Sequence, residues 1–280
     1  MKSGNKYFVG SGQRRIFYQW WAPEDNARAL LFLIHGAGEH SGRYQAFAEF
    51  FVSNGYAVAA LDHNGHGRSE GRPGYVERFE DYLVDVDLFS RECADQFPQL
   101  PSILVGHSLG GLISTHFLRR NQDAFIGAVL SGVLVEVEPV PGWLQDKAVR
   151  LLARIAPRLG VIKLDPAGVS RDPAVVDNYA RDDKVFHGKM SARQLRVMFD
   201  AMADMREHAG DIALPVMILH GGEDVMASPQ GSRFLAEHVG SKEKILKIYP
   251  GLYHEIFNEP ERQEVLADVL SWCEARLNPD

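Results

Sequence analysis

The chain has 280 residues, of which 45% are hydrophobic, 24% charged and 10% aromatic. This composition is typical of a folded globular protein and excludes the disordered and fibrous classes. The net charge of −7 argues against a nucleic-acid-binding protein, which needs a basic face to neutralise phosphates. The length is best explained by one large α/β domain that carries an insertion.

The sequence contains no segment that is typical of a membrane span or of a secretory signal. The longest uninterrupted apolar runs, Ala29 to Ile34 and Tyr56 to Leu61, have six residues each, whereas a spanning helix needs ~20. Residues 1–15 lack a continuous apolar stretch behind a basic start. The two cysteines, Cys93 and Cys273, lie far apart without a partner motif. We therefore expect a cytoplasmic protein with two buried thiols.

Strand-like and helix-like patterns alternate along most of the chain. The predicted strands are Ala29 to Gly36, Tyr56 to His63, Ser102 to His107, Phe125 to Ser131, Val216 to Gly221 and Lys244 to Pro250. The predicted helices are Tyr44 to Val52, Val76 to Phe97, Leu109 to Arg120, Gly231 to Val239 and Glu261 to Leu277. Strands that are apolar on both faces and separated by helices indicate a mostly parallel sheet covered by helices on both sides. Phe8, Val9 and the alternating Arg15 to Trp21 predict an antiparallel edge.

One stretch, residues 133–211, interrupts this alternation. It contains helical patterns at Trp143 to Leu159, Ala174 to Ala180 and Ser191 to Ala209, and we predict no strand in it. In an open parallel sheet, ligands bind at the carboxyl ends of the strands, so a long insertion there covers the site. We expect a core of residues 1–132 and 212–280, and a helical lid of residues 133–211.

The strongest local motif is Gly106-His107-Ser108-Leu109-Gly110, which follows a strand-like run and opens a helix-like one. In a G-x-S-x-G elbow the glycines permit a tight strand-to-helix turn, and the turn exposes the serine hydroxyl. The helix N-terminus favours negative charge beside it. Ser108 is therefore the candidate nucleophile.

A serine nucleophile needs a general base, and the base needs an acid that fixes its tautomer. In this architecture the chain order is Ser, then Asp or Glu, then His, each after a strand. Asp224 and His254 meet that condition. Seven other histidines fit less well: His35, His63, His66 and His107 precede or adjoin the serine, His116 lies inside a helix, and His187 and His208 fall in residues 133–211. Glu223 adjoins Asp224 and remains an alternative acid.

The oxyanion of an acyl-transfer reaction needs two hydrogen-bond donors. One is predicted to be the backbone amide of Leu109, directly after the nucleophile. The other is predicted to be the amide of Ala37, because His35-Gly36-Ala37-Gly38 follows a strand and its glycines allow close approach of a ligand. The segment Asp62 to Gly67 is interpreted as a structural turn, because no further ligands stand at metal spacing. We expect no metal and no nucleotide.

These motifs resemble those of the monoacylglycerol lipases of the α/β-hydrolase superfamily and of their relatives, the bacterial lysophospholipases. The resemblance spans Phe17 to Trp272 and is carried by four blocks: His35 to Tyr44, Asp62 to Gly71, Gly106 to Gly111 and Tyr253-His254-Glu255. It implies an α/β-hydrolase fold with a helical cap. It also implies Ser108, Asp224 and His254 as the triad, and so decides against Glu223, with the amides of Ala37 and Leu109 as the oxyanion hole.

The resemblance further implies a polar site for the glycerol head. The residues that match it are Glu39, Arg43, His107 and, on a looser alignment, Tyr179. The expected reaction is hydrolysis of monoacylglycerol to fatty acid and glycerol through an acyl-enzyme, without a cofactor. A lysophospholipase or a broad-specificity carboxylesterase is the alternative, and a non-catalytic lipid-binding protein of the same fold is a distant one.

The predicted helix from Trp143 to Leu159 is amphipathic, and Pro157 is expected to end or kink it. Leu144, Ala148, Leu151, Leu152, Ile155 and Leu159 fall on one broad arc, and Lys147, Arg150, Arg154 and Arg158 fall on another. From Val140 to Lys163 there are five basic residues and one acidic residue, a net charge of +4. Two interpretations stay open: the apolar arc packs on an acyl tunnel, or it contacts an anionic bilayer. We expect a small lipid substrate, a peripheral membrane contact through the lid, and no obligate protein partner.

Overall fold

The computed structural model describes residues 1–138 and 142–278. Its strands are β1 (Lys2–Val9), β2 (Arg15–Ala22), β3 (Ala29–Ile34), β4 (Tyr56–Leu61), β5 (Ser102–His107), β6 (Gly127–Ser131), β7 (Gly160–Ile162), β8 (Met190–Ser191), β9 (Val216–Gly221) and β10 (Lys244–Tyr249). Its α-helices are α1 (Gln45–Ser53), α2 (Phe79–Gln96), α3 (Leu109–Asn121), α4 (Trp143–Ile155), α5 (Pro173–Arg181), α6 (Ala192–His208), α7 (Pro229–His238) and α8 (Arg262–Leu277).

The main sheet has eight strands in the order β1-β2-β4-β3-β5-β6-β9-β10. At the amino-terminal edge of this sheet, β2 pairs antiparallel with both of its neighbours, β1 and β4. All other neighbours pair parallel. This confirms the α/β-hydrolase fold that the sequence predicts, with its mostly parallel sheet and antiparallel edge.

Apolar side chains fill the space on both faces of the sheet. On one face, Phe32 and Leu104 belong to a core cluster that includes residues of α2, α3, α6 and α7. On the other face, Leu31 and Val105 pack in a second cluster with α1 and α8. Neighbouring strand residues alternate between the clusters because successive side chains of a strand point to opposite faces. Burial on both sides explains why the central strands are apolar throughout.

The segment between β6 and β9 contains α4, α5 and α6. The expected effect of Pro157 on the helical pattern that runs to Leu159 is confirmed. Helix α4 ends at Ile155, and Ala156 has a φ of −139°, because the ring of Pro157 disfavours helical backbone at the residue before it. The expectation of no strand in this segment is wrong. The segment also contains strands, since β7 pairs antiparallel with β8. With three and two residues, these strands are too short to produce a periodic pattern.

Residues 139–141 lie outside the described part of the chain. They include Val140, the first residue of the predicted basic stretch. Within residues 1–138 and 142–278, no helix is both long and apolar enough to cross a membrane. In the same ranges, no group of three or more His, Cys, Asp and Glu side chains is placed to hold a metal ion. Asp62 accepts hydrogen bonds from the amide of Arg68, just after its own turn, and from the amide of Ser41 after β3, each at 2.8 Å.

Candidate active site

Ser108 stands in the turn between β5 and α3. Its φ of 54° and ψ of −119° are strained for a non-glycine residue. The turn is held on both sides, because the Ser108 amide donates to Ser131 O at 2.9 Å and the Ser108 carbonyl accepts from Leu112 and Leu134. A Cβ at Gly110 would lie 2.1 Å from Ile34 O, so only glycine lets α3 approach the end of β3 this closely.

The loop after β3 lies beside this turn. A Cβ at Gly36 would be 3.1 Å from the Ser108 Cβ, which shows how close the loop comes to the serine. Its shape is fixed by the Gly36 amide, which donates to Glu39 Oε1 at 2.7 Å. In the described part of the chain, the Ala37 amide donates to no protein acceptor. Leu109 is the first residue of α3, where an amide has no acceptor within its own helix.

Asp224 and His254 are joined by a buried hydrogen bond. Nδ1 of His254 lies 2.6 Å from Oδ2 of Asp224. The other carboxylate oxygen, Oδ1, accepts from the amides of Met226 at 2.7 Å and Ala227 at 3.0 Å. Because Nδ1 is engaged with Asp224, Nε2 is the His254 nitrogen left for proton exchange.

Burial and charge shift the pKa values of this pair in opposite directions. Burial favours the neutral form of Asp224, but the His254 and His220 rings overcome this and hold the pKa of its carboxyl well below the usual range. Burial also disfavours the imidazolium of His254, and the Asp224 carboxylate outweighs it, so that the pKa of His254 lies above its ordinary 6.5. The pair therefore favours the charge distribution that forms when His254 takes up a proton.

Glu223, the alternative acid, has an exposed side chain, while Asp224 is buried. Gly132, which sequence reasoning did not single out, has a φ of +52°, and a Cβ there would lie 3.2 Å from His254 Nδ1. Glycine at this position is thus what leaves room for the imidazole. The only available signal was its location directly after a strand end.

A cavity of about 800 Å³ opens at these groups. Ser108, His254, Ala37, Glu39, His107 and Tyr179 line its polar end. The rest of its lining is mainly aliphatic and methionine side chains of the β6–β9 segment: Leu134, Val137, Ala148, Val149, Leu152, Val161, Leu164, Met190, Leu195, Met198 and Met202. The size is within the roughly 300–1,000 Å³ typical of small-ligand pockets. A mostly apolar molecule with one polar end matches this lining.

Behind the polar end lies a buried ion network. Arg43 contacts Glu39 Oε2 at 3.0 Å and Glu255 Oε2 at 2.7 Å, and its guanidinium lies 4.6 Å from the Tyr179 ring centre. Burial raises the pKa of Glu39 although Arg43 opposes the shift. His107 is also buried, which lowers its pKa to about 3, and its ring lies 4.7 Å from that of His254.

The structure brings most of the predicted head-group residues to the cavity. Glu39, His107 and Tyr179 line it, whereas Arg43 does not and lies behind the two carboxylates. Glu255 lines the cavity as well, and sequence reasoning gave it no separate role. Its position directly after His254 was the available signal.

Two contacts join the β6–β9 segment to the loop after β3. The amide of Phe186 donates to Gly38 O at 2.8 Å. Nε2 of His40 lies 2.9 Å from Oδ2 of Asp182. Residues 182–186 are therefore tied to the same loop that carries Ala37.

A model of the family described as "Serine aminopeptidase, S33" matches residues 25–261. The chain is 38% identical to the monoacylglycerol lipase of Mycolicibacterium smegmatis over 96% of each chain. It is 32% identical to the monoglyceride lipase of Mus musculus, over 97% of this chain and 90% of the mouse protein.

Solved structures give the same result. The crystal structure of Paleococcus ferrophilus monoacylglycerol lipase superposes with a TM-score of 0.84 at 31% identity, covering 93% of this chain and 99% of that one. A soluble variant of the Saccharomyces cerevisiae monoglyceride lipase, in complex with a substrate analog, has a TM-score of 0.86 at 25% identity, covering 97% and 94%. The chain therefore belongs to this family of α/β hydrolases, in the branch of the monoacylglycerol lipases.

Proposed function

We propose that this protein hydrolyses monoacylglycerol to a fatty acid and glycerol. The observation that carries the proposal is the cavity, whose lining combines a serine, a histidine and buried polar groups with many apolar side chains. The named relatives and structures support the same substrate class.

In the proposed mechanism, Ser108 Oγ attacks the ester carbonyl while His254 Nε2 takes its proton. Asp224 orients the imidazole and stabilises the imidazolium, and the amides of Ala37 and Leu109 stabilise the oxyanion. The imidazolium then protonates the departing glycerol oxygen, which leaves an acyl ester on Ser108. Water attacks this ester while His254 takes its proton, and the imidazolium then returns the proton to Ser108 Oγ as the fatty acid leaves.

The polar end supports a neutral head group over a phosphate. Glu39 and Glu255 both line the cavity, and the single guanidinium of Arg43 lies behind them. A phosphodiester would face two carboxylates, whereas glycerol hydroxyls can donate to them. This disfavours the lysophospholipase alternative.

The test is a hydrolysis panel of monoacylglycerols of several chain lengths, lysophospholipids, and di- and triacylglycerols. We expect the highest kcat/KM for a monoacylglycerol. A lysophospholipid as the preferred substrate would overturn the head-group assignment. In parallel, a fluorophosphonate probe should label the wild type and fail to label Ser108→Ala, and persistent labelling would refute the nucleophile.

We infer that residues 133–211 act as a lid over this cavity and that the outer side of α4 contacts a lipid surface. The side chains of α4 fall into two groups. Ala148, Val149 and Leu152 line the cavity. Others face outward with high exposure, namely Trp143 (67%), Leu144 (63%), Leu151 (57%) and Ile155 (68%). Exposed apolar side chains interspersed with cations suit the interface of an anionic bilayer.

The basic side chains of α4 differ in their contacts within the protein. Arg150 pairs with Asp146 at 2.6 Å, while Lys147 lies 4.7 Å from the Trp143 ring centre. We expect the triple charge reversal of Lys147, Arg150 and Arg154 to weaken binding to vesicles containing phosphatidylglycerol and to leave turnover of a soluble ester intact. Reversing Lys6, Arg233 and Lys242 is the control of equal charge change. If both triple variants bind vesicles alike, the α4 surface is not the contact.

A further inference from the structure

A second buried histidine touches the acid of the proposed triad. His220 lies near the end of β9 and is fully buried. Its Nδ1 is 2.6 Å from Ser232 Oγ on α7. Its Nε2 is 3.1 Å from Ala227 O and 2.9 Å from Asp224 Oδ2.

These contacts fix the tautomer of the ring. A carbonyl oxygen and a carboxylate oxygen both lie within reach of Nε2, and neither can donate, so Nε2 carries the hydrogen. Nδ1 then has a lone pair, and the Ser232 hydroxyl donates to it. His220 therefore presents an N–H to the turn that begins at Asp224.

Hydrogen bonds from the backbone and from His220 hold that turn. The amides of Met226 and Ala227 donate to Asp224 Oδ1. His220 donates to the carbonyl of Ala227, so both backbone polar groups of this residue are engaged. The Nε2–H of His220 also lies beside Asp224 Oδ2, the oxygen that accepts the hydrogen bond from His254.

We propose that His220, set by Ser232, is a positioning residue that holds the Asp224 turn and neutralises part of the charge on Oδ2. The inference rests on the proposed triad. His220 does not line the cavity and so acts through Asp224 rather than on substrate. The chain of contacts runs from Ser232 through His220 and Asp224 to His254.

The expected consequence is a shift in the pH dependence of the enzyme. If the N–H beside Oδ2 is removed while the two amides still hold Oδ1, Oδ2 attracts the His254 imidazolium more strongly, and the pKa of His254 rises. The other groups that face His254 are His107, Glu255 and Glu39, the last two with Arg43 between them. None of them contacts position 220, so their effect stays constant.

Two amide substitutions separate this role from simple packing. In His220→Gln the amide nitrogen takes the place of Nε2, so the donor to the turn is kept. In His220→Asn it takes the place of Nδ1, so only the contact with Ser232 is kept. The measurement is kcat and KM as a function of pH with a soluble short-chain monoacylglycerol, with the thermal midpoint of each variant recorded beside them.

For His220→Asn we expect kcat to fall about tenfold, KM to stay within about twofold, and the acid limb of kcat/KM to move up by about 0.5 pH unit, the effect of one lost hydrogen bond. His220→Gln should keep the wild-type limb. If the acid limb of kcat/KM is unshifted in both variants and both lose the same thermal midpoint, His220 has only a packing role.

Should His220→Asn fail to fold, Ser232→Ala decides the matter. Without the hydroxyl the ring is free to place its hydrogen on Nδ1, so the limb should shift in the same direction by a smaller amount, and Ser232→Thr should restore it. A limb unchanged in Ser232→Ala would also overturn the proposal. Failure of the proposed function looks different, since the wild type itself would then show no ester hydrolysis and no labelling at Ser108.

Discussion

The Asp224–His254 pair and the outer side of α4 are organised in opposite ways. The pair is buried at strand ends, and backbone amides, a second histidine and a glycine surround it. The outer side of α4 exposes two-thirds of the Trp143 and Ile155 surfaces. A site for chemistry needs fixed distances, whereas a surface that meets lipid needs accessible apolar area. Four predictions can break or sharpen this contrast.

The largest effect is expected from Asp224→Asn. The amide cannot stabilise an imidazolium and favours the wrong tautomer of His254, so kcat should fall by about 10⁴. Glu223→Gln is the matched control, because the neighbouring carboxylate is exposed and should be dispensable. Equal losses in the two variants, measured as kcat on a soluble monoacylglycerol, would reopen the choice of acid.

Gly132→Ala tests how tightly the pair is enclosed. The new Cβ would lie 3.2 Å from His254 Nδ1 in backbone at φ +52°, so we expect kcat to fall about tenfold. Gly251 has a φ of +79° and no heavy atom within 4 Å of the added Cβ. Gly251→Ala should therefore lose only stability, about 1 kcal/mol from the left-handed backbone. A full kcat in Gly132→Ala would mean that the imidazole tolerates displacement.

Leu151 and Leu152 are adjacent in α4, about 100° apart around the helix axis, and differ in their surroundings. Leu152 lines the cavity, while Leu151 is 57% exposed. Leu152→Gln should lower kcat/KM for a long-chain monoacylglycerol about fivefold, from roughly 1 kcal/mol of lost apolar contact. Leu151→Gln should preserve that value and weaken vesicle binding, assayed by co-sedimentation. The reverse result would show that the two sides of the helix are wrongly assigned.

The smallest effect concerns pH. Because Asp224 stabilises the His254 imidazolium, the pKa of His254 lies above 6.5. Activity needs the neutral imidazole, so kcat/KM should be constant at high pH and fall as the pH drops through that raised pKa. A profile on a soluble ester checks this, and an acid limb centred at or below 6.5 would contradict it.

The sheet and the strand-end positions of the site could be predicted because they depend on local patterns. Apolar runs produce the strands, and Ser108, Asp224 and His254 each follow one. Gly132 and His220 were missed because their roles come from which strand ends become neighbours, and a single sequence does not record that. The end of α4 could be predicted from Pro157, whereas the pairing of β7 with β8 was missed because it involves very few residues.

The bond from the Phe186 amide to Gly38 O bears on how this enzyme could be re-engineered. Exchanging residues 133–211 for those of a relative would replace an acyl-binding wall and at the same time remove a support of the loop that carries Ala37. Such a chimera is therefore expected to lose turnover number as well as to change its chain-length preference. Retaining residues 182–186 from the parent chain would leave the loop of Ala37 with its native neighbours.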